Sequence, residues 1–126
     1  MNFKEFAKEK LNEDNGKGDD KSWKKFHGKL WEGTKIYIVD GNYVRNNIDI
    51  GQKDSQFIEG GHSLVYDWMP QKPPEIWVER VINIEDMRDN LIHELIEYIQ
   101  MKYLNLKYEE SHDHALNFER LIRTLK

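Results

Sequence analysis

Near the C-terminus Leu91, Ile92, Leu95, Ile96, Ile99 and Tyr103 recur at intervals of three and four. That spacing predicts one amphipathic helix, closed near Asn105. Asn83 stands where a cap belongs, and Glu85 and Asp86 give an acidic first turn suited to the helix dipole. After the polar stretch "LKYEE", Ser111 is expected to open a last helix that buries Ala115, Phe118, Leu121, Ile122 and Leu125.

Upstream the period changes. "KIYIVDGNYVR", from Lys35 to Arg45, is rich in β-branched and aromatic residues on both sides of Asp40-Gly41, which predicts a hairpin turning at that dipeptide. A strand is expected around Leu64 to Trp68. Pro70, Pro73 and Pro74 mark a turn before a strand over Glu75 to Val81, "EIWVERV".

The N-terminal third reads as helical. Phe3, Phe6, Ala7 and Leu11 share one side of a helix over Asn2 to Leu11, followed by a polar and glycine-rich mobile linker at 12–21. Trp23, Phe26, Leu30 and Trp31 then fall at i, i+3, i+7 and i+8, the stripe of a second helix from Ser22 to about Gly33. Helices, a small mostly antiparallel sheet and two more helices make an α+β domain, expected as one unit over 1–126.

Composition narrows the chemistry. The 126 residues carry 38% hydrophobic and 33% charged side chains, with no apolar run of membrane-spanning length. The start, "MNFKEFAKEKLNED", lacks the basic tip and apolar stretch of a signal peptide, so a cytoplasmic protein is expected. Cysteine is absent, which leaves His, Asp and Glu as the candidate ligands of any metal. A net charge of −4 argues against nucleic acid as a partner, and the basic stretch "KSWKKFHGKLW" is read as the helix above with its lysines in water.

The chemistry concentrates in "NLIHELIEYIQ", where His93, Glu94 and Glu97 form HExxE. The apolar stripe of this helix covers an arc of roughly 140° at about 100° per residue, and His93 and Glu97 lie just past its edge, one turn apart. Side chains at i and i+4 are close enough for an imidazole and a carboxylate to converge on one ion at about 2.1 Å each. A third ligand is sought in "SHDHALNFE". His112 and His114 point to different faces there, and His112 is favoured because small Ala115 lets the helices approach; Asp113 is the outside choice. Glu119, two turns on, is placed to orient a neighbouring group. Glu94, beside the first ligand but off the metal, suits a general base that takes a proton from metal-activated water and passes it to a leaving amine.

"GNYVR", "EGGHSLVYDWMP", "EIWVE", "LIHELIEY" and "YEESHDHALNFE" together resemble a family of small zincin-like metallopeptidases from phages, bacteria and archaea. The resemblance covers roughly 35–123. It implies a zinc hydrolase acting on peptides or amides, with His93, Glu97 and His112 as ligands and Glu94 as base. Glu in place of the usual second His departs from the zincin pattern and favours harder metals such as Mn2+ or Fe2+ beside Zn2+.

Other residues carry smaller expectations. His62, beside Gly60 and Gly61, is open as oxyanion stabiliser, fourth ligand or plain turn residue. Tyr66 and His114 are further candidates near substrate or ligands, whereas Trp68 and Trp77 are expected to pack. If "EIWVE" is an exposed sheet edge, an extended peptide can pair with it. Two rival readings remain: a metal-stabilised accessory protein without chemistry, and a metal-free protein-binding module.

Overall fold

A computed structural model describes residues 21–49 and 57–125. The fold is α+β. Its elements run β1 (Lys24–Lys29), β2 (Lys35–Val39), α1 (Gly41–Asn47), β3 (Gly60–His62), β4 (Glu75–Glu79), α2 (Ile84–Tyr103) and α3 (Tyr108–Thr124). The expected helix over Asn2 to Leu11 and most of the 12–21 linker lie outside the described residues.

The four strands form one mixed sheet in the order β1-β2-β4-β3. β2 and β4 are parallel, with Ile36 opposite Ile76, Tyr37 opposite Trp77 and Ile38 opposite Val78. This register puts like residues on each face, so both faces can be buried. Ile36, Ile38, Ile76 and Val78 meet Met87, Leu91 and Tyr98 of α2 on one face. On the other, Tyr37, Val39 and Trp77 meet Val44, Phe57 and Met69, with Trp68 packed against them.

The expected second helix is a strand. Lys24 and Phe26 lie opposite Val39 and Tyr37, and the register shifts between Phe26 and Gly28, leaving His27 as the extra residue of a bulge. The four apolar residues do not form one stripe: Trp23 and Phe26 pack on the Tyr37 face of the sheet, Leu30 on the Ile36 face, and Trp31 is 74% exposed. Pairing to β2 decides the outcome. Lys24 does not face water: it is 6% exposed, 2.7 Å from Glu75, and 4.2 Å from the Tyr37 ring centre.

The Asp40-Gly41 hairpin is also overturned. Asp40 caps α1, its side chain accepting from the Tyr43 amide at 3.1 Å. The same two residues serve a turn or a cap, and here the cap wins. The strand expected at Leu64–Trp68 lies earlier, at Gly60–His62, and β4 ends at Glu79. β4 is interior, so the peptide-accepting edge expected of "EIWVE" is not exposed; β3 is the edge on that side.

α2 follows expectation. Asn83 caps it by accepting from the amides of Glu85 and Asp86, and Asn105, at φ 55°, lies just beyond its end. Its C-terminal half is tied to the β1–β2 turn: Thr34 and Tyr98 hydroxyls are 2.7 Å apart, Lys102 pairs with Glu32, and Trp31 stacks on Tyr103. α3 begins a turn earlier than expected, with Lys107 in the cap position and Ser111 inside the helix. Ser111 and Ala115, both 0% exposed, are the small pair that lets α3 lie against α2. The rest of its expected buried face is not buried. Phe118, Leu121 and Leu125 are 45%, 53% and 78% exposed.

Candidate metal centre

The packing of α3 on α2 brings the HExxE residues and His112 to a single cleft of about 180 Å³, whose other wall is β3. His93 Nε2 lies 3.4 Å from Glu97 Oε2, and His112 Nδ1 lies 3.1 Å from the same oxygen. One ligand atom from each of the three residues lies within 4.8 Å of the others. Tetrahedral ligands at about 2.1 Å from an ion stand roughly 3.4 Å apart, so the two measured separations fit such a set. The far nitrogen of His93, Nδ1, is 3.3 Å from Glu119 Oε2. A carboxylate behind a ligand imidazole fixes its tautomer and ring plane.

His114 is not part of this cleft. It is exposed, with Nδ1 2.9 Å from Gln100 Oε1, on the opposite side of the helix pair. Asp113 is exposed as well. His62 is fully buried at the end of β3, where Nε2 lies 2.8 Å from Glu97 Oε1 and the ring meets Tyr98 edge-on. It therefore holds the oxygen of Glu97 that faces away from His93 and His112. His62, Glu94 and Glu97 form a second close group. Glu94 and Glu97 of that group line the cleft, whereas His62 lies behind them at 0% exposure.

The electrostatics are uneven. Burial pushes the Glu94 carboxyl well above the usual range, and the neighbouring charge of Glu97 adds to the effect. Burial would raise Glu97 too, but hydrogen bonds from His62 and His93 outweigh it and hold that carboxylate ionised. Burial works against a charged His93; the hydrogen bond with Glu97 and the charge of Glu94 prevail and lift it to about 8. Two adjacent carboxyls are thus driven apart, one toward a proton carrier and one toward a permanent anion.

The double glycine has a direct cause. A Cβ on Gly60 would stand 2.9 Å from Glu94 Cγ and 3.1 Å from the Trp77 carbonyl, and one on Gly61 would stand 2.5 Å from the Tyr66 ring. Only bare backbone lets β3 pass this close over Glu94. Tyr66 lines the cleft and packs on Phe57 and Trp68, with burial raising its hydroxyl to about 12. Trp77 fills the core, its indole donating to Glu75 Oε1 at 2.8 Å.

Three cleft residues escaped sequence reasoning. Tyr108 stacks on His112 at 5.3 Å and is raised to about 12, chiefly by burial. It stands one turn before His112, a relation visible only once α3 is known to start at Tyr108. Asn90 and Glu59 also line the cleft, the latter with φ 66°. Nothing in their local sequence marks them.

Comparison of the chain with protein-family models, with curated proteins and with solved structures finds no match. No helix among the described residues is long and apolar enough to cross a membrane.

Proposed function

We propose that the protein is a metal-dependent hydrolase of peptide or amide bonds, with His93, Glu97 and His112 as ligands and Glu94 as general base. The observation that carries this reading is the convergence of two imidazoles and one carboxylate, with ligand atoms within 4.8 Å of one another, beside a second carboxyl with a raised proton affinity. A divalent ion, zinc first and Mn2+ or Fe2+ as harder alternatives, would supply Lewis-acid activation of the carbonyl and of water.

The chain's own residues have separate tasks. Glu97, fixed from behind by His62, keeps its negative charge. Glu119 holds the His93 ring from its far nitrogen. Glu94 takes the proton of the attacking water and returns it to the leaving nitrogen, a transfer its raised proton affinity favours near neutral pH. Tyr66 and Tyr108, both kept protonated, stand at the cleft as donors to developing oxygen charge. Among the described residues β3 is the edge strand at the cleft, and an extended substrate would pair there, a role open to 75–79 only if that strand were an exposed edge.

Glu94→Gln tests the proposal. It should retain the metal, measured by elemental analysis of protein purified without a histidine tag, while hydrolysis of a fluorogenic peptide library falls by about 10²–10⁴-fold. Unchanged turnover would exclude Glu94 as base. A second reading keeps the ion without chemistry, as a tie between α2 and α3, and is favoured by how little of the apolar side of α3 is covered. In that case a chelator unfolds the protein and no peptide in the library is cut.

A further inference from the structure

The side of the helix pair turned away from the cleft carries an open trough of about 710 Å³. Ile92, Ile96 and Ile99 of α2 form one wall, and Phe118 and Leu121 of α3 form the other. Among the described residues its polar members are Gln100, His114 and Asn117, none of which brings a carboxylate, ammonium or guanidinium. A surface of this kind selects its occupant by apolar fit and helical shape, not by charge.

We propose that the trough is the docking site of the chain's own segment Asn2–Leu11, laid in as a helix on its Phe3, Phe6, Ala7 and Leu11 side. Those four residues stand at i, i+3, i+4 and i+8, the anchor spacing of a helix seated in a groove. Lys4, Glu5, Lys8 and Glu9 fall off that stripe and would stay in water. Residues 12–20 can extend to about 30 Å, close to the full ~33 Å width of a domain with this radius of gyration, so any point short of the far pole from Lys21 is within their span. A second copy of the chain fits less well. Nine of the described residues line the trough, against roughly 20–30 a side in a stable association of separate molecules. A tethered segment needs far less area, because its effective concentration is on the order of millimolar. Docking there would press α3 onto α2 from the side opposite the cleft, whether or not a metal is bound.

The absence of cysteine makes the test clean. In the full chain, Phe6→Cys is combined with Leu121→Cys in the trough or with Asp67→Cys at an exposed site across the molecule. Dilute oxidation should close an intramolecular disulfide at least about tenfold faster to position 121 than to position 67. Equal rates would overturn the proposal, and so would disulfide-linked dimers that dominate and grow with concentration, which would identify a second copy as occupant. A second measurement avoids dependence on disulfide geometry. Iodoacetamide labelling of Leu121→Cys alone should accelerate several-fold when Phe3→Asp and Phe6→Asp are added. Identical labelling in both backgrounds counts against docking.

Discussion

The two sides of the α2–α3 pair invert the usual arrangement of polar and apolar residues. On the cleft side His93, Glu94 and Glu97 are 9%, 8% and 3% exposed; on the trough side Phe118 and Leu121 stand 45% and 53% open. Burying ionisable groups costs stability unless they are paired, and leaving large apolar groups in water forgoes about 25 cal/mol per Å2. A chain that does both within two helices has its helix rotation fixed by something other than stability. Such local violations of folding logic are what a functional site would produce, and the cleft side is where the candidate ligand residues converge.

The contrast can be broken most sharply at Glu97, which touches His62, His93 and His112 together. Glu97→Ala should lower zinc affinity by more than about 100-fold, exceeding the effect of any outer partner. Competition titration against a chromophoric chelator measures it; an affinity within a few-fold of the parent would place the ion elsewhere. Glu119→Gln keeps the shape but removes the charge behind His93, and an affinity loss of about 10–100-fold is expected in the same titration.

Acidity would separate the protonated form of the cleft from the proposed metal-bound one. An imidazole binds a metal only when neutral, and the proton affinity of His93 is raised to about 8. A raised imidazole contributes stability below its unfolded pKa near 6.5, and that contribution is lost as pH rises through about 8. Metal binding runs the opposite way. The zinc-induced rise in melting temperature should therefore grow between pH 6 and pH 8.5, and a rise independent of pH would argue against imidazole ligation.

The smallest expected effect is a gain. Glu94 has a raised folded pKa, so its ionisation works against the fold as pH climbs above about 4.5. Glu94→Gln lacks that penalty. The metal-free variant should be more stable than its parent, with a margin that widens from pH 5 to pH 8 in urea titrations. A margin that shrinks with pH would mean the carboxyl is not held protonated.

The parts of the fold legible in the sequence are those where one local signal suffices. Asn83 and Asn105 bound α2, and "EIWV" reads as a strand in any context. β1 was not legible, because Trp23, Phe26, Leu30 and Trp31 stand at helical spacing although they end on different faces, and only the pairing with β2 decides for a strand. Asp40-Gly41 was ambiguous in its chemistry, since one carboxylate can serve a turn or cap a helix. At the site, HExxE placed His93, Glu94 and Glu97 on one helix, but the choice between His112 and His114 depended on the rotation of α3. Their surroundings could not be read at all: Tyr108, Asn90 and Glu59 reach the cleft through tertiary packing.

The link between α2 and α3, Leu104 to Lys107, is four residues long and contains the left-handed Asn105. It works as a phase setter. Adding a single residue between Tyr108 and His112 would turn everything beyond it by about 100°, carrying the imidazole out of the cleft while α3 remained a sound helix. The length of α3 up to His112 is therefore quantised.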